Sequence, residues 1–268
     1  MSFIYGIVAH PVGHSLSPVM HNGAFAYLKI DAKYLKFDVE SKDLEKFIKQ
    51  IKNEKISGLS VSIPHKENVI KFLDEISDDV RKIGACNTVL NKNGKLIGFN
   101  TDYLGFLEAL NTKIKDLSHK KIMVFGAGGA ARAICYGLKS QKADVFVTNI
   151  HFNKAKNLAK NFDIQAIKNE QIYNENFDVI INATPMGMAP KFTDLSVCEK
   201  RLFKKNQVVM DIVYKPLITR FLRYAKQKNC EIVTGEKMLL NQAAAQFQIW
   251  TGQKAPIEIM DSVLLQNL

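Results

Sequence analysis

Lys121-Ile-Met-Val-Phe-Gly-Ala-Gly-Gly-Ala-Ala131 constrains the fold more than any other stretch of this chain. A short apolar run ends at Gly126, and Gly128 and Ala131 complete a G-x-G-x-x-A pattern. Helix-forming residues follow, and Ala143 to Thr148 reads as a second strand. Strand, tight glycine turn, helix and strand come in the order that a dinucleotide-binding unit requires. Gly126 permits the turn, Gly128 lets backbone approach a pyrophosphate, and Ala131 keeps the helix close to the sheet. The helix start then offers unpaired N–H groups to the phosphates. The plainer alternative is a glycine turn inside an ordinary α/β fold.

Short apolar runs alternate with amphipathic helices from end to end, which predicts α/β architecture throughout. Strands are expected at Phe3 to Ala9, Tyr34 to Phe37 and Gly58 to Ile63, with helices over Val19 to Leu28 and residues 43 to 52. Asn93-Gly94 lies between Thr88 to Leu90 and Leu96 to Phe99, a strong hairpin signal. The first hundred residues therefore read as a largely parallel sheet with an antiparallel hairpin at one side. Residues 104 to 112 should be helical. Asp178 to Asn182, Gln207 to Asp211 and Glu231 to Thr234 supply further strands, and Leu217 to Lys228 an amphipathic helix. Met238 to Thr251 reads as a helix lying beyond the last strand of the nucleotide half and returning to the first. Two halves facing each other across a ligand cleft are expected.

Composition narrows the class. With 268 residues and 47% hydrophobic content, the chain can bury a large core in one or two domains. Met-Ser-Phe-Ile-Tyr-Gly carries no basic leader region, and no apolar run approaches the ~20 residues needed to span a bilayer. Cys86, Cys135, Cys198 and Cys230 are scattered without a C-x-x-C pair, which suits reduced thiols in the cytoplasm. A net charge of +11 could mark a nucleic-acid surface or a lysine-rich solvated exterior. Basic residues are interleaved with acids rather than run together, which favours the solvated exterior. The expected partners are a small-molecule substrate, neither nucleic acid nor membrane, in a monomer or homodimer.

Gly13-His-Ser-Leu-Ser-Pro18, Ser62-Ile-Pro-His-Lys-Glu67, Gly84-Ala-Cys-Asn-Thr88, Asn100-Thr-Asp102, Gly126-Ala-Gly-Gly-Ala130, Asn182-Ala-Thr-Pro-Met-Gly187, Asp211-Ile-Val-Tyr214 and Gln242-Ala-Ala follow one another along the chain. With these separated motifs in order, the chain resembles the shikimate dehydrogenase family over essentially its whole length. The resemblance implies reversible NADPH-dependent reduction of 3-dehydroshikimate to shikimate, in the route to chorismate and the aromatic amino acids. It also implies a substrate domain of residues 1–102, with 237–268 returning to it, and a Rossmann-like NADP domain of residues 103–236.

By the same resemblance Lys66 is the general acid/base. An ammonium can give a proton to a forming alkoxide and recover it in reverse. Asp102 matches the carboxylate that binds a substrate hydroxyl and holds the lysine, although it also suits a helix start. Ser15 and Ser17 match hydroxyls that bind the substrate carboxylate; alternatively they are turn serines, with Ser17 capping a helix before Pro18. Ser62, Asn87, Gln242 and Tyr214 match further substrate contacts, Ser62 standing where threonine is common. Gly126, Ala127, Gly128, Gly129, Ala130, Asn149, His151, Lys154, Thr184, Val213 and Gly235 are the cofactor set. His10, His14, His21 and His65 cluster early in the sequence, but no acidic or cysteine partner completes a ligand set, so no metal is expected.

Cofactor choice turns on the end of the second nucleotide-half strand. NAD enzymes place an acid about 20 residues after the glycine turn. Here Asn149 stands there, which does not favour NAD. NADP-using members continue with an arginine that grips the 2′-phosphate, whereas this chain has Ile150. Lys154, Lys156 and His151 could supply the contact, so NADP is expected, with NAD as the alternative. Two other functions stay open: a quinate/shikimate dehydrogenase of wider range, and a non-catalytic nucleotide-sensing or nucleic-acid-binding protein on the same fold. Retention of Lys66, Asp102 and the serine loop argues against the last.

Overall fold

Apolar runs that carry no charge must be covered on both faces, and two sheets do this here. The computed structural model describes residues 3–53 and 56–268. Met1 and Ser2, where the leader reading starts, lie outside the described residues. The chain divides into two compact units, Met1–Asp102 with Leu240–Asn267, and Tyr103–Leu239.

In the first unit, β1 (Phe3–Ala9) leads to α1 (Ser17–Tyr27), β2 (Ala32–Asp38), α2 (Leu44–Asn53) and β3 (Ile56–Val61). Next come β4 (Glu75–Ile76), α3 (Asp78–Ile83), β5 (Thr88–Lys92) and β6 (Lys95–Phe99). Their sheet has the order β2-β1-β3-β5-β6-β4. β1 pairs in parallel with β2 and β3, while β3–β5 and β5–β6 are antiparallel. Asn93 and Gly94 both take positive φ, the hairpin turn that the dipeptide predicts. The sequence reading did not include β4, a two-residue strand that pairs with β6 beyond the hairpin. One face of the sheet packs Val8, Leu59, Val61, Val89 and Leu96 against Leu44, Ile48 and Ile51 of α2.

The second unit contains α4 (Asp102–Leu110) from Tyr103 onward, β7 (Lys121–Phe125), α5 (Gly129–Ser140), β8 (Asp144–Thr148) and α6 (Phe152–Phe162). It continues with β9 (Gln165–Ala166), β10 (Val179–Asn182), β11 (Val208–Asp211), α7 (Arg220–Lys226) and β12 (Glu231–Val233). Its sheet is parallel throughout, in the order β12-β11-β10-β7-β8-β9. Counting strands from β7, this is the doubly wound order 6-5-4-1-2-3 of dinucleotide-binding sheets. Ile122, Val124, Val145 and Val147 meet α5 and α6 on one face. Met123, Phe125, Phe146 and Val209 meet Phe221 and Leu222 of α7 on the other. Burial on both faces explains why these strands read as unbroken apolar runs.

Two helices differ from expectation. The predicted helix over 217–228 is shorter, because Thr219 caps α7 by accepting from the Leu222 N–H at 3.3 Å. Asn229, at φ 57°, turns the chain away beyond its other end. The helix predicted from Met238 begins earlier: α8 spans Gly235–Thr251, and α9 (Ile257–Leu265) follows. A β-carbon at Gly235 would lie 2.5 Å from the carbonyl oxygens of Ile212 and Val213, so only glycine lets the helix start sit there. From Leu240 onward α8 belongs to the first unit, where Trp250 donates to the Val89 carbonyl at 3.0 Å.

Candidate active site

Lys66 and Asp102 come from different parts of the first unit and meet there. Lys66 lies in the turn after β3, and Asp102 is the first residue of α4. Lys66 Nζ donates to Asp102 Oδ2 at 2.6 Å, with the side chains 16% and 5% exposed. Poor solvation makes this a strong charge-assisted contact. Asn100 Oδ1 accepts from the Asp102 N–H at 3.0 Å, fixing the helix start, while the carboxylate faces the lysine.

Asn87 joins the pair from the other side. Its Nδ2 donates to Asp102 Oδ1 at 2.8 Å and reaches Gln242 Oε1 at 3.3 Å. The Thr101 N–H donates to Asn87 Oδ1 at 2.7 Å, which settles the orientation of the amide. Lys66, Asp102, Asn87 and Gln242 are thus one hydrogen-bonded group. Ser62 is half-buried at the end of β3. Ser15 and Ser17 share the loop into α1, where Ser15 Oγ accepts from the Ser17 N–H at 3.3 Å. The capping alternative for Ser17 is corrected: Leu16 occupies the N-cap, and Ser17 is already helical and buried. Tyr214 belongs to the second unit, just past β11.

Sequence reasoning missed five buried polar residues around this group: Tyr34, Ser60, Thr88, Thr101 and Gln246. Gln246 had a usable signal, since it lies one helical turn after Gln242 and so shares its face of α8. Three of the four early histidines have partners elsewhere. His10 Nδ1 pairs with Asp38 Oδ1 at 2.7 Å, and His65 Nε2 lies 2.8 Å from the Val39 carbonyl. His21 stacks on Tyr34 at 4.5 Å, and burial pushes its pKa down to about 3, leaving it neutral. Among the described residues no group of three or more His, Cys, Asp or Glu could hold a metal ion.

In the second unit the glycine turn lies between β7 and α5. Gly126 has φ +120°, and a β-carbon there would stand 2.9 Å from the Ala183 carbonyl oxygen, so a tight turn beside β10 demands glycine. Above Gly128 the space is open, and no acidic residue occupies the first turn of α5. Open room over backbone N–H groups at a helix start, where strand order reverses, fits a dinucleotide pyrophosphate. Past β8, Asn149 Oδ1 accepts from the His151 N–H at 2.9 Å, and His151 occupies the N-cap of α6. Ile150 is 85% exposed, Lys154 is exposed one turn on, and Lys156 stands over the Phe152 ring at 5.7 Å.

Asp211 ties together the loops that carry Thr184 and Val213, two of the remaining cofactor candidates. Its Oδ1 accepts from the Val213 N–H at 3.0 Å and from Asn182 Nδ2 at 2.9 Å, and its Oδ2 from the Thr219 hydroxyl at 2.6 Å. Asn182 Oδ1 in turn accepts from the N–H and hydroxyl of Thr184. Burial raises the Asp211 pKa to about 7, against the opposing pull of these donors.

Strand order and glycine turn make the second unit a dinucleotide-binding fold. Comparison with known proteins then gives the family. The shikimate dehydrogenase substrate-binding domain model matches residues 7–89, the shikimate/quinate 5-dehydrogenase model residues 108–214, and the shikimate 5′-dehydrogenase C-terminal domain model residues 235–265. The NADP(+)-dependent shikimate dehydrogenase of Pyrococcus furiosus is 46% identical over 264 residues, covering 98% of this chain and 95% of that one. A crystal structure of a shikimate dehydrogenase in complex with NADP+ superposes with a TM-score of 0.93 at 36% identity, over 99% of this chain and 95% of that one. The Thermus thermophilus shikimate 5-dehydrogenase in complex with NADP(H) and shikimate gives 0.91 at 35% identity, over 99% and 100%. The chain belongs to the shikimate dehydrogenase family.

Proposed function

We propose that this chain catalyses the reversible NADPH-dependent reduction of 3-dehydroshikimate to shikimate. The observation that carries the reading is the Lys66–Asp102 pair at 2.6 Å, mostly out of solvent, inside a set of fixed hydrogen-bonding groups. When bound, the nicotinamide supplies or accepts the hydride. Lys66 handles the proton: in reduction its Nζ gives one proton to the substrate oxygen as the carbonyl becomes an alcohol, and in oxidation it takes that proton back. Asp102 holds the ammonium at one carboxylate oxygen and turns the other toward Asn87.

Ser15 and Ser17 are assigned to the substrate carboxylate, and Ser62, Asn87, Gln242 and Tyr214 to its hydroxyls. A ring bearing several hydroxyls is selected by such groups, because an analogue lacking one leaves a buried partner unpaired. Gly126, Ala127, Gly128, Gly129 and Ala130 are assigned to the pyrophosphate. Asn149, His151 and Lys154 are assigned to the 2′-phosphorylated ribose, and Thr184, Val213 and Gly235 complete the cofactor set.

A second reading, broader use of NAD and quinate, is supported by Ile150, which offers no charge to a 2′-phosphate. Steady-state rates with shikimate or quinate and with NADP+ or NAD+, in all four combinations, separate the two. Shikimate with NADP+ should give the highest kcat/KM. Preference for quinate or for NAD+ would replace the first reading with the second, and inactivity with every pair would remove both.

A further inference from the structure

Tyr34, Ser60, Gln246, Thr88 and Asn87 form a buried polar chain that ends on Asp102, with none of the six more than 4% exposed. Tyr34 Oη lies 2.5 Å from Ser60 Oγ, and Ser60 Oγ lies 2.7 Å from Gln246 Oε1. Gln246 Nε2 is 3.0 Å from both Thr88 Oγ1 and the Asn87 carbonyl. Thr88 Oγ1 lies 2.7 Å from Asn87 Oδ1, and Asn87 Nδ2 is 2.8 Å from Asp102 Oδ1.

Two backbone groups fix the direction of every bond. A carbonyl can only accept, so the Asn87 carbonyl forces Nε2 of Gln246 toward itself and Thr88, and Oε1 toward Ser60. Ser60 must then spend its one proton on Gln246, which leaves its lone pairs to the Tyr34 hydroxyl. Thr88, accepting from Gln246, sends its proton to Asn87 Oδ1. The Thr101 N–H independently holds that oxygen in place. Every link therefore donates toward Asp102, and bonds aligned head to tail strengthen one another.

We propose that Gln246 is a positioning residue for the reaction: through Thr88 and Asn87 it sets the orientation of the Asp102 carboxylate against Lys66, with Ser60 and Tyr34 locking Gln246 from behind. The proposal rests on the assignment of Lys66 and Asp102 to the proton step. A purely structural network would stabilise the fold and leave the chemistry alone. A positioning network acts on the reaction through Asp102.

The test compares the wild type with Gln246→Met and Tyr34→Phe, each also in an Asp102→Asn background. Single-turnover oxidation of shikimate, KM for NADP+ and the thermal midpoint are measured together. Gln246→Met should slow the single turnover about 10-fold, since small misplacements of reacting groups are costly. Tyr34→Phe, two links further away and lacking only a hydroxyl, should slow it roughly 3-fold. KM for NADP+ should stay within about 2-fold for both, and in the Asp102→Asn background neither change should cost more than about 2-fold further. A lower thermal midpoint with unchanged turnover would overturn the proposal, and so would equal losses in both backgrounds. Should Gln246→Met not fold, the Tyr34→Phe pair decides alone. A wild type inert toward shikimate would sink the functional reading instead. Positioning would then be decided by a crystal structure of Tyr34→Phe or Gln246→Met, in which an unmoved Asn87 amide and Asp102 carboxylate would overturn it.

Discussion

At the scale of residues, the account depends on a few side chains whose neighbours fix what they can do. Lys66 has its ammonium held at 2.6 Å from Asp102 with little solvent around either group. Lys66→Ala should lower kcat by about 10²–10⁴-fold, the usual range for losing an acid/base group, and change substrate affinity much less. Near-normal turnover would remove Lys66 from the proton step. Asp102→Asn keeps the shape and loses the charge. A large fall in kcat with an unchanged thermal midpoint is expected, and unfolding would instead favour its helix-start role.

Ile150 and Lys154 carry the cofactor question. Ile150 is exposed where an arginine would be needed, so NADP selectivity should be modest, and Ile150→Arg should tighten NADP by roughly 1.5–3 kcal/mol while sparing NAD. Lys154→Ala should weaken NADP alone. Cofactor titrations read both variants, and equal weakening of the two cofactors by Lys154→Ala would show that this lysine does not read the 2′-phosphate.

Among the elements, those with strong local signals were legible in the sequence, and those made by tertiary context were not. The glycine turn, the Asn93-Gly94 hairpin and the apolar strands β7, β8, β10 and β11 follow from turn chemistry and two-sided burial. β4 and β9 are two residues each and exist only because a neighbouring strand offers a partner, so no periodicity announces them. The start of α8 depends on how closely Gly235 approaches the carbonyls beyond β11, a contact remote in sequence. In the site, Lys66, Asp102, Asn87 and Gln242 stand out within motifs. Tyr34 and Ser60 do not, because a tyrosine and a serine in strands become polar partners only once β2, β3 and α8 have packed.

The ends of β10 and β11 carry a prediction of their own. Burial raises the Asp211 pKa from 3.8 to about 7, so the stability that goes with its protonated form is complete below the ordinary value and lost as pH rises through about 7. Asp211→Asn has no such proton to lose. Relative to the variant, the wild type should lose stability between mildly acid and neutral pH and change little above that, by several kcal/mol at most on the order-of-magnitude rule of 1.36 per unit. Urea unfolding midpoints across pH would show it. A difference between the two proteins that does not vary with pH would contradict it.

For the whole molecule, the two units are built on different sheets. The parallel sheet with its glycine turn provides a dinucleotide fold, and the mixed sheet gathers Lys66, Asp102, Asn87 and Gln242. Among the described residues no helix is long and apolar enough to cross a membrane. The four cysteines are free, and burial pushes the thiols of Cys86, Cys135 and Cys198 up to about 12, so these three remain protonated at neutral pH. The central claim is that the chain moves a hydride between shikimate and NADP. Shikimate carrying deuterium on the carbon whose hydroxyl becomes the ketone, incubated with NADP+ and the purified protein, tests it most directly by mass spectrometry of the nicotinamide product. The account predicts reduced cofactor carrying one deuterium together with 3-dehydroshikimate. Reduced cofactor without the label, or none formed at all, would contradict it.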